Sequence, residues 1–134
     1  MACCPEDALG KLGTGGYVNK GKVEKVNDLE LYVVGTGTKC IIWNYDIFGF
    51  DSGRTRQTAD LFAEAGYLVI IPDFYRGTWR DPTAPDVVQF IKDQTNWDKL
   101  KQDFEISFSL LPNLRELLNL APLVLVGAAT WSLG

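Results

Sequence analysis

The hydrophobic positions of the chain cluster into three short runs, at residues 39–45, 67–71 and 123–127. Nearly continuous apolar runs of this length are typical of strands that are covered on both faces of a sheet. Helical spacing and helix-capping residues occupy the segments between them. Strands that alternate with helices predict a mostly parallel sheet with right-handed crossovers. We therefore expect an α/β fold with three layers, in which the three runs are adjacent parallel strands.

Two further strands are expected before the first of these runs. Residues 22–26 and 29–34 flank Asn27 and Asp28, a pair that is typical of a tight hairpin turn. The segment before the hairpin, residues 1–20, is rich in glycine and proline and has no periodicity. It is expected to be an irregular arm at the start of a single domain.

The first expected helix follows the run at 39–45. Asp51 and Ser52 are suitable residues to cap it, and Gly66 is suited to end it. Within it, Leu61, Phe62 and Ala65 are expected to face inward.

Two more helices are expected before the last run. The first covers residues 86–93, and the second begins at Trp97, capped by Thr95 and Asn96. In the second helix Phe104, Phe108 and Leu111 recur at helical spacing, which favours packing on a sheet. Pro112 should break or kink this helix before the pattern continues over 114–120.

Composition and charge exclude several classes of partner. The 134 residues carry a net charge of −4 and no basic stripe, which disfavours binding to nucleic acid. No run of 18 apolar residues is present, so no membrane-spanning segment is expected. The acidic start lacks the features of a signal peptide, and a cytoplasmic location is expected. The spacing of Cys3, Cys4 and Cys40 fits neither a disulfide framework nor a zinc site, and we expect no metal or cofactor.

Two loops at strand ends carry the candidate chemistry, because parallel sheets place ligand sites beyond the carboxyl ends of their strands. In the first loop Asp46 follows a buried run, and the backbone N–H of Ile47 is a candidate oxyanion donor. In the second, Arg76 offers a planar guanidinium suited to a carboxylate. The alternatives are a helix-capping loop with a solvated Asp46, and a surface Arg76 paired with Asp73 or Asp81.

The same two loops carry a family resemblance. YDIFGFDSGRTRQ at 45–57 and ADLFAEAGYLVIIPDFYRG at 59–77 are similar to fungal and protist dienelactone hydrolase-like proteins. The resemblance implies an α/β-hydrolase fold and the nucleophilic hydrolysis of a small carboxylate ester or lactone. It also implies that Asp46 matches an acidic residue beside the nucleophile, that Ile47 donates its N–H to the oxyanion hole and that Arg76 holds the substrate carboxylate.

The nucleophile position departs from the family pattern. The family places a cysteine in Gly-x-Cys-x-Gly just after the third run, where this chain reads GAATWSLG at 127–134. Alignment on Gly127 puts the inert Ala129 at that position. Alignment on Gly134 makes Ser132 the nucleophile of an elbow whose flanking residues are small, as its strained turn requires. Both alignments stay open, with Ser132 as the candidate catalytic residue.

The base of a catalytic triad is also missing, since the 134 residues contain no histidine. A serine hydroxyl needs a base to remove its proton, and the acid and histidine follow the nucleophile in this architecture. The chain therefore resembles the amino-terminal half of a hydrolase, incomplete at its carboxyl-terminal side, and is expected to be inactive alone. The alternative is a non-catalytic module that binds a small carboxylate or self-associates through an open sheet edge.

Overall fold

The structure is a computed structural model, and it describes residues 13–111 and 124–127. Five strands and three helices lie in this part of the chain. In chain order they are β1 (Lys22–Val26), β2 (Leu29–Val34), β3 (Lys39–Asn44), α1 (Thr55–Glu64), β4 (Tyr67–Pro72), α2 (Val87–Gln94), α3 (Trp97–Ser109) and β5 (Val124–Gly127). None of the helices described there has the length and apolar character needed to cross a membrane.

All five strands form one sheet in the order β1-β2-β4-β3-β5. β3 lies between β4 and β5 and pairs with both in parallel, as the three apolar runs predict. β1 and β2 form the expected hairpin, and β2 then pairs with β4 in the antiparallel direction. The sheet described here is therefore mixed, whereas the sequence predicted a mostly parallel one. The hairpin extends the sheet beyond β4, and this adds two antiparallel pairings to the two parallel ones.

Alternation along the strands divides the core between the two faces of the sheet. On one face Tyr32, Ile41 and Val69 belong to a buried cluster against which Phe62 of α1 packs. On the opposite face Leu31 and Ile70 belong to a second cluster, and the end of α3 packs there. The α3 side of that cluster consists of Ile106, Phe108, Leu110 and Leu111. The expected packing of this helix on the sheet is confirmed at Phe108 and Leu111, and Cys40 packs against the same cluster.

The start and the inward face of α1 differ from the prediction. The helix begins at Thr55, and no side chain caps it, so neither Asp51 nor Ser52 has the expected role. Leu61 is 58% exposed. Phe62 packs inward as predicted. The inward stripe is Ala59, Phe62 and Ala63, whose i, i+3 and i+4 spacing turns Leu61 toward solvent. Ala65 is exposed as well, so its predicted inward position was wrong.

The end of α1 and the start of α3 are as predicted. Gly66 follows α1 with φ +95°, the left-handed conformation that favours glycine after a helix. At α3 the Asn96 side chain accepts hydrogen bonds from the N–H groups of Asp98 and Lys99. The residues predicted beyond α3, with Pro112 and the segment 114–120, lie outside the described residues, as do Cys3 and Cys4.

The arm before β1 is irregular over residues 13–20, as predicted, and a buried carboxylate anchors it. Asp60 of α1 is 1% exposed. It accepts hydrogen bonds from the Tyr17 hydroxyl and from the Lys20 N–H, each at 2.9 Å. The Tyr32 hydroxyl also donates to it, and burial raises the pKa of Tyr32 to about 12. Neutral donors thus satisfy this aspartate and fix the arm to α1 and β2.

Candidate functional site

The two candidate loops lie side by side at one end of the sheet. Asp46 and Ile47 follow β3, and residues 73–77 follow its parallel neighbour β4. The Arg80 N–H donates to the Ile47 carbonyl at 3.2 Å, which joins the two segments directly. β5 ends at the same place, because Gly127 pairs with Asn44 at the end of β3. The expected common rim is therefore present.

The loop after β3 is held by its own short-range hydrogen bonds. The Asp46 carboxylate accepts from the Phe48 N–H at 3.0 Å, and the Asp46 carbonyl accepts from the Gly49 N–H at 3.2 Å. Gly49 has φ +99°, and a Cβ there would lie 3.4 Å from the Thr78 carbonyl oxygen. A glycine at this position therefore lets the loop turn sharply against the neighbouring one.

Ile47 lies at the centre of this turn and is 4% exposed. Its carbonyl accepts from Arg80, but its N–H donates to no group among the described residues. A backbone N–H in a buried residue is almost always paired. One that has no partner in the described part of the chain, at the end of a strand, is suited to an acceptor from outside that part.

Arg76 occupies the loop after β4 with φ +51°, an uncommon conformation for a residue with a side chain. All five of its guanidinium N–H groups have acceptors. Two point to the buried Asp103 carboxylate, with N–O distances of 2.7 and 2.9 Å. One points to the Asp73 carbonyl at 3.1 Å. The last two face Asp28, at 3.0 Å from Nε and 3.5 Å from the second nitrogen.

The carboxylates that bind Arg76 thus belong to neither of the two residues that the sequence suggested, Asp73 and Asp81. Asp73 offers only its carbonyl, and the carboxylates come from Asp28 in the β1–β2 turn and Asp103 in α3. The hydrogen bonds with Asp103 are the main cause that raises the pKa of Arg76, and Arg76 in turn lowers the pKa of Asp28. A signal for Asp103 was present in the sequence: it lies on the inward stripe of α3, where a charged residue needs a partner.

Asp73 and Tyr45 connect the two loops through a second buried network. The Tyr45 hydroxyl donates to the Asp73 carboxylate at 2.8 Å and accepts from the Tyr75 N–H at 2.8 Å. The other Asp73 oxygen accepts from the Gly77 N–H at 2.6 Å. Burial raises the pKa of Asp73 despite these bonds. This network closes the turn that carries Arg76 and ties it to the end of β3.

A cavity of about 380 Å³ opens beside Arg76. It is lined by Lys25, Asp28, Glu30, Asp73, Arg76 and Gly77. It lies on the β2 side of the rim, because Asp28 and Glu30 belong to the β1–β2 hairpin and the Glu30 carbonyl accepts from the Asp73 N–H. The structure thus places Asp46, Ile47 and Arg76 on one rim, with the guanidinium directed toward the hairpin and α3.

Ser132, the candidate nucleophile, lies outside the described residues. Within residues 13–111 and 124–127, no group of three His, Cys, Asp or Glu side chains is arranged to hold a metal ion.

The chain is similar to one protein family and to several known proteins. Residues 33–119 match the Dienelactone hydrolase family. An uncharacterized AIM2 family protein of Schizosaccharomyces pombe is 35% identical over 117 residues, covering 84% of this chain and 44% of that protein. A carboxymethylenebutenolidase homolog of Mus musculus is 36% identical over 82 residues, covering 61% and 33% of the two chains. The hydrolase pyvD of Aspergillus violaceofuscus is 37% identical over 80 residues, covering 54% and 31%.

No solved structure matches the chain. The chain spans less than half the length of each of these three relatives.

Proposed function

The chain belongs to the dienelactone hydrolase family, and we propose that its two strand-end loops form the substrate-binding side of a hydrolase site. The substrate class is a small ester or lactone that carries a carboxylate. The fold that supports this site is the three-layer α/β-hydrolase arrangement, of which the mixed sheet and its helices are part. The relatives named as a hydrolase and as carboxymethylenebutenolidase homologs support this reaction class.

The N–H of Ile47, which has no partner among residues 13–111 and 124–127, is the observation that carries the proposal. When a nucleophile attacks an ester, negative charge develops on the carbonyl oxygen, and a fixed N–H donor stabilises that charge. Ile47 is held in place by the Asp46–Gly49 turn and by the bond from Arg80 to its carbonyl. Its N–H therefore needs no rearrangement before it binds an oxygen.

Arg76 is the proposed partner of the substrate carboxylate, and Ser132 is the proposed nucleophile. A guanidinium binds a carboxylate through two parallel N–H···O bonds, which fixes the orientation of the ligand as well as its position. Ser132 follows β5 by five residues in the sequence, and β5 ends beside Asn44 at the same rim. Asp46 is the proposed acidic neighbour of the nucleophile.

We further propose that these 134 residues bind the substrate class without turning it over. They contain no histidine, and a positioned base contributes about 10²–10⁴-fold to such a reaction. Carboxylates in general are weak bases toward a serine hydroxyl at neutral pH. A module that self-associates through its sheet edge is the second candidate, because β5 is the last strand in the described order.

The test uses the purified 134-residue chain and monomethyl succinate, which carries one ester and one carboxylate. We expect the amide NMR signal of Ile47 to shift on titration, with methanol release equal in the chain and in a Ser132→Ala variant. Methyl acetate, which lacks the carboxylate, is the matched probe and should shift the signal less.

Three results would contradict parts of this proposal. An unchanged Ile47 signal would remove the oxyanion role, and equal shifts with both esters would remove the carboxylate role. Hydrolysis that is lost in Ser132→Ala would show that the chain is active. Light scattering on the same sample tests self-association, and a dimer would favour the second candidate.

A further inference from the structure

The two carboxylates on Arg76 differ sharply in their surroundings. The Asp103 side chain is 2% exposed, and its two oxygens accept hydrogen bonds from the two terminal nitrogens of the guanidinium. The Asp28 side chain is 76% exposed and faces the edge formed by Nε and one terminal nitrogen. The first carboxylate is fixed by packing, whereas the second can leave for water without burying an unpaired charge.

The edge of Arg76 that Asp28 faces is the edge that a ligand reaches. The cavity of about 380 Å³ is lined by Arg76 and Asp28, and Asp103 is not among its lining residues, so a carboxylate that enters it meets the guanidinium on the side of Asp28. Because all five N–H groups already have acceptors, the guanidinium has no free pair of donors for another carboxylate. A ligand must therefore take the place of one of the acceptors, and only the exposed one can be displaced at low cost.

We propose that Asp28 is an internal competitor for the carboxylate site of Arg76 and thereby sets the affinity of that site for its ligand. This inference rests on the proposed role of Arg76 in substrate binding. Asp28 presents two oxygens to the same edge that a ligand carboxylate would use. Its position in the two-residue turn between β1 and β2 allows its side chain to move without breaking the Val26–Leu29 pair of the hairpin.

Charge supports the same conclusion. The side chains that line the cavity include the bases Lys25 and Arg76, together with three acids, Asp28, Glu30 and Asp73. With Asp28 in place the cavity does not favour an anion. When Asp28 is displaced, an edge of Arg76 with two N–H donors becomes free, and neutralising Asp28 also removes one negative charge from the lining of the cavity.

The experiment compares Asp28→Asn with a matched control, Glu30→Gln, in the 134-residue chain. Both substitutions remove one negative charge from the same cavity, but only the first removes a carboxylate from Arg76. The dissociation constant of monomethyl succinate is measured by NMR titration. If Asp28 occupies the site about 90% of the time, its removal tightens binding about 10-fold. We expect this for Asp28→Asn and less than about 3-fold for Glu30→Gln, where only the charge changes.

A third variant separates failure of this inference from failure of the proposed function. Arg76→Lys, made in the Asp28→Asn background, keeps the charge but loses the forked donors, and thermal unfolding by circular dichroism checks that it folds. Weaker binding in this variant, with equal affinities in the wild type and Asp28→Asn, would overturn the competitor role and leave Arg76 as the binding residue. If Arg76→Lys leaves the dissociation constant of monomethyl succinate unchanged, or if no variant binds it, the proposed function and this inference are both overturned. If Asp28→Asn and Glu30→Gln raise the affinity for monomethyl succinate equally, the loss of negative charge explains the whole effect and the competitor role is contradicted.

Discussion

The loops after β3 and β4 lie on the same rim, but they are held in opposite ways. The loop after β3 is fixed by bonds within residues 46–49 and leaves the Ile47 N–H without a partner among the described residues. The loop after β4 is fixed by side chains from a strand end, a hairpin turn and α3, and every N–H of its arginine is used. Locally closed loops can leave a donor free for a ligand, whereas loops closed by distant partners use their donors for the fold.

Of the substitutions that test this difference between the loops, removal of the buried partner of Arg76 should change stability the most. Asp103→Ala leaves a guanidinium without its main counter-ion in a mostly buried position, and we expect a loss of about 3 kcal/mol in the free energy of unfolding. Urea denaturation followed by circular dichroism measures this loss. Asp28→Ala is the matched control, since it removes the exposed carboxylate of the same arginine and should change stability little. Equal losses in the two variants would refute the distinction between the fixed and the displaceable partner.

The link between the loops should have an intermediate effect. Tyr45→Phe removes a hydroxyl that donates to Asp73 and accepts from the Tyr75 N–H, which leaves two polar groups unsatisfied. We expect a loss of about 2 kcal/mol in urea denaturation.

Tyr75→Phe is the control for this substitution, because it also removes an aromatic hydroxyl from the same region. The Tyr75 hydroxyl bonds to no group in the described part of the chain, so the change should be about 0.5 kcal/mol or less. A loss in Tyr45→Phe no greater than in the control would mean that this network does not hold the loops together.

The loop after β3 should give the smallest change. Asp46→Ala removes one acceptor from the Phe48 N–H at a partly exposed position, and we expect a loss of about 1 kcal/mol or less. Asp46→Asn keeps an oxygen acceptor and should be closer to the wild type in the same urea denaturation. A loss as large as that of Asp103→Ala would show that the two loops depend equally on their side chains.

Much of the fold could be predicted because apolar runs and turn residues are local signals. The hairpin around Asn27 and Asp28 and the three parallel strands follow from such signals, and their observed bounds differ from the predicted ones by about one residue. The antiparallel pairing of β2 with β4 could not be predicted, because no local pattern records which distant strand lies beside a hairpin. The inward face of α1 was predicted correctly at Phe62 and wrongly at Leu61 and Ala65. The stripe around the buried Ala59 faces the sheet, and Leu61 lies outside that stripe although its side chain is apolar.

The site could be predicted in part by the same logic. The rule that ligands bind at the carboxyl ends of parallel strands is enough to select Asp46, Ile47 and Arg76 from the sequence. Their roles stay predictions, and so does Ser132. Sequence could not reveal that Arg76 is already occupied, because its acceptors Asp28 and Asp103 lie 48 and 27 residues away.

The position of β5 in the sheet has a consequence for the synthesis of the protein. One edge of β3 pairs with β4, but the other edge gains its partner β5 only after α1, β4, α2 and α3 have been made, since Ile41 pairs with Val124. Ribosomes add about 5–20 residues per second, so the free edge of β3 stays exposed on the nascent chain for several seconds. An unpaired apolar edge is the kind of surface that joins other chains. This interval is the stage at which a chaperone would protect the polypeptide, and slower translation of the helices would prolong it.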